Sequence, residues 1–362
     1  MKRLTYISRL SDPLSEKDIQ EIGIVSAGNN QSENITGALV YFSGLFFQII
    51  EGADDNIDRL YEKIMQDKRH TDIICLKAEY DVSERLFPYW SMKTINLDGN
   101  NDVLIRPIKI LLQSVSESHR IIEQYTQPAV IKILNKGINP LTIPARKTEK
   151  IILFADIMSY SALSEKLSDN DLMMIINRYL TICCEAISFR GGEVNKFIGD
   201  CVMAYFDSDQ ADNAIHTCIE ILEKLKNIRC FSDESSAFRL LYCGFGLSQG
   251  LVIEGNMGSH VKTDYTIIGD AVNTAARLEA LTREVKHHLV LSEKVRRTAR
   301  QNWKFILLGK YDLKGKEKAE EVYSIDNEFI KNFKEKDALR HEIHAFSLHK
   351  SIDSRREDGG DC

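Results

Sequence analysis

The pattern of the chain changes at Arg106-Pro107. Before it, short apolar runs alternate with helical stretches. From it onward, apolar positions step by three and four residues, and Pro107 suits the first turn of a helix. Ile105, Ile108, Leu112, Val115 and Ile122, with His119 in the remaining slot, follow heptad core spacing. The run is shorter than the three to four heptads that identify a coiled coil by themselves, so a helix packed on its own domain and a seam between two copies both satisfy it; a dimer seam is the expectation. Pro128, Pro140 and Pro144 then punctuate a connector ending at Lys150. A length of 362 residues suits about two domains with connections. The expected divisions are 1–100, 101–150, 151–326 and 327–362, the last a charged segment with a weak helical period, expected to be a mobile tail.

Residues 1–95 read as an extended Arg3–Ser8, a helical Ser15–Ala27, and two apolar runs, Gly37–Phe42 and Leu45–Ile50, joined by Ser43-Gly44 as a β-hairpin. A second helix carries Ile57, Leu60, Tyr61, Ile64 and Met65 at helical period, before a strand near Asp72–Ala78. Tyr6, Trp90 and Met92 would ordinarily be core side chains. Gln48 resists that reading, because an amide inside the apolar run Phe46–Ile50 needs a partner.

Residues 151–326 give strand Ile151–Asp156, helix Leu172–Ser188, hairpin Glu193–Asp207, helix Ala211–Ile228, strand Leu240–Leu247 and helix Ala271–Leu281. The expected architecture is an α/β sheet with helices on one side, so the whole chain is α/β in the broad sense, with α+β character. Asp156 closes an apolar strand and Asp200 stands at the Gly199 turn of the hairpin, positions that present carboxylates to a cation, although turn and cap roles are commoner for such residues. Gly191-Gly192 before a strand reads as a turn.

Apolar content of 43%, charged content of 28% and a formal charge of -6 suit a soluble globular protein and argue against a nonspecific nucleic-acid binder. Eight cysteines lack paired metal-ligand spacing and read as reduced thiols. The N-terminus has no signal-peptide core, and no run approaches the roughly 20 apolar residues of a span, so no membrane and a cytoplasmic location are expected.

Three blocks, Phe154-Ala155-Asp156-Ile157, Lys196-Phe197-Ile198-Gly199-Asp200 and Asp264 through Glu279, together resemble the core of class III nucleotidyl cyclases. The resemblance implies two Mg²⁺, with Mn²⁺ the alternative, on Asp156 and Asp200, and attack of the ribose 3′-hydroxyl on the α-phosphate of the same nucleotide. Asn273 and Arg277, four apart on one helix face, would orient the ribose and stabilise charge on the α-phosphate. Lys314 matches the triphosphate-binding lysine, with Lys316 a nearby competitor. Lys196 can donate to adenine N1 and Thr266 can accept from N6, whereas guanylyl members carry an acid and a cysteine there; ATP is therefore the expected substrate. The family arrangement takes Asp156 and Asp200 from one copy and Lys196, Thr266, Asn273, Arg277 and Lys314 from the other, implying a homodimer.

Within residues 1–100, Leu4-Thr5-Tyr6-Ile7-Ser8, Asn34 through Leu39, Phe46 through Gly52, Asp67-Lys68-Arg69-His70 and Trp90-Ser91-Met92 resemble BLUF domains, which bind flavin and respond to blue light. This implies a ferredoxin-like domain holding flavin, FAD being expected and FMN the alternative. Tyr6 would give an electron and a proton to the photoexcited flavin, and Gln48 would return with altered hydrogen bonds that reach Met92, expected on one strand face with Trp90. Ser26 and Asn30 would fix the ring system, with Arg69 and His70 as further contacts; Asn29 stands where the family often has a basic residue or histidine. The combined expectation is a linker helix forming a dimer coiled coil between sensor and cyclase, giving a blue-light-activated adenylyl cyclase. A guanylyl cyclase and a noncatalytic flavin-binding scaffold are the alternatives.

Overall fold

The computed structural model describes residues 1–11, 15–98, 105–233, 236–259, 261–312 and 319–357, and the chain divides into two units, Met1–Ile143 and Pro144–Cys362. The first carries β1 (Lys2–Leu10), α1 (Glu16–Ser32), β2 (Thr36–Phe42), β3 (Leu45–Gly52), α2 (Asp54–Gln66), β4 (His70–Glu79), β5 (Lys93–Asn96), α3 (Ile105–Tyr125) and α4 (Pro128–Asn135). Its sheet order is β4-β1-β3-β2-β5. The first four strands pair antiparallel and β5 joins β2 in parallel, the ferredoxin-like arrangement with one strand added. Ser43 and Gly44 both have positive φ, 46° and 77°, as the tight turn between β2 and β3 requires. Ser15 and Asp18 cap the start of α1 reciprocally.

Helix α3 confirms the expected element but divides the expected seam. Leu112 is buried, and Lys109 Nζ lies 4.9 Å from the Phe42 ring centre. Ile108, Leu111 and Ile122 are at least half exposed, flanking half-buried Val115. The free apolar stripe thus runs through Leu111 instead of Leu112, still at steps of three and four.

The second unit carries β6 (Arg146–Ile157), α5 (Tyr160–Lys166), α6 (Asp169–Phe189), β7 (Glu193–Ile198), β8 (Cys201–Asp207), α7 (Ala211–Phe231), β9 (Cys243–Gly258), β10 (Thr263–Ile268), α8 (Asp270–Val285), β11 (Leu289–Ser292), α9 (Glu293–Thr298), β12 (Phe305–Tyr311), β13 (Glu320–Ile325), α10 (Glu328–Lys331) and α11 (Lys336–Glu357). The strands follow the order β12-β13-β11-β9-β6-β8-β7, and β10 pairs with the far end of β9.

Helices cover both faces of this sheet, not one. Ile151, Leu153 and Ala155 of β6 enter a core with α6 and α7, while Ile152 and Phe154 enter a second with Ala271 and Ala275 of α8. Strand alternation is the reason, since β6 is apolar on both faces and each needs cover. The expectation of a mobile tail also fails for much of 327–362. Ile330, Leu339 and Ile343 are fully buried in the larger core, which fastens α10 and the first turns of α11 to the domain. Among the described residues one helix, Asp169–Phe189, is long and apolar enough to cross a membrane, contrary to the sequence reading; its Ile175, Tyr179, Ile182 and Ala186 are buried in the core.

Candidate functional site

Asp156 lies on the β6 face that carries Ile152 and Phe154, beneath α8. Opposite Asp156 and Phe154 in the ladder stand Gly244 and Gly246 of β9. A Cβ on Gly246 would come within 2.1 Å of the Ala275 carbonyl oxygen, so this bare stretch of strand is what allows α8 to lie so close. The close approach delivers Arg283. Its Nη2 donates to Asp156 Oδ2 at 2.8 Å and its Nη1 to Glu279 Oε1 at 2.6 Å. Burial pushes the Glu279 carboxyl up to about 7 despite this partner.

Asp200 follows Gly199, whose φ of +67° shapes the turn between β7 and β8. The turn sets the Asp200 carboxyl against that of Asp156. Burial first, and then the facing charge of Asp156, push Asp200 well above the usual carboxylate range. Asp200 Oδ2 is buried without a hydrogen-bond partner. Among the described residues, no group of three or more His, Cys, Asp or Glu side chains makes a self-contained metal cage. Two facing hard-oxygen donors and one unpartnered oxygen fit a divalent cation of the Mg²⁺ kind, which takes few protein ligands and leaves positions for water and phosphate.

Asn273 is exposed and Arg277 half-buried, both on α8. Lys196 is half-buried on β7, Thr266 is buried on β10, and Asn195, beside Lys196, accepts the Thr266 hydroxyl at 3.0 Å. The Thr266 hydroxyl is thus tied to the residue that precedes Lys196. Among the described residues, no hydrogen bond or ion pair joins Lys196, Thr266, Asn273 or Arg277 to Asp156 or Asp200. Lys314 lies outside the described residues. Gly191, with φ +81°, forms the expected turn into β7. Arg283, Glu279 and Asn195 were not found from sequence.

In the first unit, Tyr6 and Gln48 are direct cross-strand partners between β1 and β3, so their side chains share a face. The buried Tyr6 hydroxyl donates to Gln48 Oε1, and Gln48 Nε2 lies 3.5 Å from Met92 Sδ. Burial pushes the Tyr6 phenol far up, so it holds its proton in the resting state. A thioether is a weak acceptor, which leaves the Gln48 amide N–H groups able to serve a stronger one, such as a flavin carbonyl. Asn30 is buried and donates to the Ser91 carbonyl at 2.9 Å, and Ser26 is half-buried one turn earlier on α1.

Trp90 and Met92 do not share a strand face. Both precede β5, with Met92 packed into the core and Trp90 42% exposed and stacked on Phe87 at 5.3 Å. Arg69 is exposed and pairs with Asp67. His70 Nδ1 instead meets Ser8 Oγ at 2.9 Å, a contact that sequence did not suggest, and burial lowers its pKa.

Residues 1–93 match the family described as BLUF, sensors of blue-light using FAD, and residues 143–327 match the adenylate and guanylate cyclase catalytic domain. The photoactivated adenylate cyclase subunit alpha of Euglena gracilis is 36% identical over 296 residues, 81% of this chain and 29% of its own length. Subunit beta of Euglena longa is 34% identical over 296 residues, 81% of this chain and 34% of its own. The chain thus spans about a third of the length of these curated relatives or less. A solved structure of a bacterial light-regulated adenylyl cyclase is 49% identical with a TM-score of 0.87, covering 96% of this chain and 99% of that one. A second is 48% identical with a TM-score of 0.85, covering 96% and 100%. Since that similarity runs through both units in the same order, the chain belongs to the family that joins a BLUF domain to an adenylate and guanylate cyclase catalytic domain.

Proposed function

We propose that the chain is a blue-light-activated adenylyl cyclase that converts ATP to 3′,5′-cyclic AMP and pyrophosphate at sites shared between two copies. The observation that carries the catalytic half is the facing Asp156 and Asp200 pair with its unpartnered, buried oxygen. Two Mg²⁺ held there would, when bound, acidify the ribose 3′-hydroxyl and draw charge from the phosphates. The 3′-oxygen forms the new bond to the α-phosphorus, the bond to pyrophosphate breaks, and the hydroxyl proton passes to solvent. Arg277 stabilises charge growing on the α-phosphate, Asn273 orients the ribose and Lys314 holds the triphosphate. Lys196 donates to adenine N1 and Thr266 accepts from N6.

The sensor reading rests on the Tyr6, Gln48 and Met92 chain of contacts. FAD, when bound, supplies blue-light absorption and a place for an electron. Tyr6 provides the proton, and Gln48, bonded on both sides, changes partners when that proton moves. Ser26 and Asn30 hold the ring system, with Arg69 and His70 at its margin. Met92 immediately precedes β5, so a shift there passes into a strand of the sheet. The exposed stripe of α3 suits a homodimer seam, through which the change biases two arrangements of the paired cyclase domains. The seven described cysteines are free, which suits the reducing cytoplasm.

The test is product analysis of the purified flavin-loaded chain with ATP or GTP and Mg²⁺, in darkness and under blue light. Cyclic AMP should rise on illumination, and Tyr6→Phe should remove that rise. Equal dark and light rates, or equal use of GTP, would overturn the proposal.

A further inference from the structure

A threonine hydroxyl has one proton, and where it points decides what the oxygen can recognise. The Thr266 proton is spent inside the chain, on Asn195 Oδ1 at 3.0 Å. Asn195 is 4% exposed, and its Nδ2 is turned to the Tyr265 carbonyl at 3.4 Å, which fixes the amide oxygen toward Thr266. The Tyr265 end is anchored in turn. Its hydroxyl donates to Glu254 Oε1 at 3.0 Å, and Arg146 Nη2 donates to Glu254 Oε2 at 2.9 Å.

Local backbone irregularity makes this possible. The β7–β8 ladder passes from Val194 opposite Ala204 to Lys196 opposite Met203, so Asn195 is the extra residue of a bulge. A bulge takes its residue out of the regular alternation and re-aims the side chain. Asn195 therefore reaches β10 while Lys196 keeps its place in the ladder.

We propose that Asn195 is a positioning residue for base selection: it holds the Thr266 hydroxyl as an acceptor, so that the site takes 6-aminopurine triphosphates and rejects 6-oxopurine ones. This rests on the reading of Thr266 as the group that meets the base edge. With its proton committed, Thr266 offers lone pairs to the N6 amino group and nothing to a 6-oxo group. Without Asn195 the hydroxyl turns freely and can donate to that oxygen.

The experiment measures kcat/KM of the illuminated full chain for ATP and for ITP, a 6-oxopurine probe. The wild-type chain should favour ATP. Asn195→Ala should lower the ATP:ITP ratio roughly tenfold, the scale of one polar contact. Asn195→Val, a better strand former, is made in parallel, and whichever variant gives a wild-type circular dichroism spectrum is used. Damage to packing alone would lower kcat for both nucleotides and leave the ratio unchanged. In a Thr266→Ala background, removal of Asn195 should have no further effect on the ratio. An unchanged ratio in the Asn195 variants, with a lowered one in Thr266→Ala, overturns the role of Asn195 and leaves the base reading intact. An unchanged ratio in Thr266→Ala overturns the base reading itself.

Discussion

Arg283 Nη2 donates to Asp156 Oδ2 at 2.8 Å while its Nη1 holds Glu279 Oε1 at 2.6 Å, so one guanidinium balances two of the three carboxyl groups gathered beneath α8. The third, on Asp200, has Asp156 as its charged neighbour. Asp156 is thereby paired with a guanidinium on one side and faces the Asp200 carboxyl on the other. The arrangement is a positive group on one side of the carboxylate pair and an open demand for positive charge on the other.

Arg283→Gln should cost about 2 kcal/mol of stability in chelator, because it strands partly buried charges. Added Mg²⁺ should recover part of that loss, since a bound cation replaces the missing charge. Thermal melts with and without Mg²⁺ check this, and a loss of the same size in both would contradict it.

Asp200→Asn should abolish ATP turnover yet stabilise the fold in chelator by about 1 kcal/mol, since it removes a buried like charge. The sign follows from the raised pKa of Asp200. The folded chain keeps this proton longer than the unfolded chain does, so wild-type stability falls as pH rises from the ordinary carboxylate range toward the raised value. The gain from asparagine should therefore be larger at neutral pH than in mild acid. Melts at both pH values, with an activity assay, are the check.

His288 gives the second unit a pH dependence of the opposite sign. It is 2% exposed, with Nδ1 2.6 Å from the Cys243 carbonyl and Nε2 3.2 Å from the Asn332 carbonyl. Burial pushes its pKa down to about 4, although both carbonyls pull the other way. The unfolded chain therefore binds the extra proton between the usual 6.5 and about 4, and stability falls as pH drops through that window. The full shift corresponds to about 3 kcal/mol. Melts should show Tm falling more steeply below about pH 6.5 for wild type than for His288→Gln; parallel profiles would contradict the assignment.

The residues legible in the sequence were those whose position follows from strand period or from a turn. Tyr6 and Gln48 sit on strands with alternating faces that pair directly, and Asp156 and Asp200 stand where an apolar strand ends and where a hairpin turns. Arg283 was not legible, because it lies beyond the helix end read at Leu281, and what brings it to Asp156 is the absence of side chains at Gly244 and Gly246. Asn195 was hidden by its bulge, which strand alternation does not anticipate. In α3, Leu111 and Leu112 both extend an apolar heptad, and only packing determines which of them is buried. Leu339 and Ile343 lie one turn apart in a charged segment, so composition masked a short docking face.

In the proposed enzyme each catalytic site takes its carboxylate pair from one copy and its ribose and phosphate residues from the other. Mixing measures it directly: Asp200→Asn and Arg277→Ala chains, each inactive alone, are unfolded and refolded together with flavin, and illuminated cyclic AMP formation is recorded. Random pairing leaves half the dimers mixed, each with one intact site, so about a quarter of wild-type turnover should return. A mixture as inactive as its components would contradict the shared site.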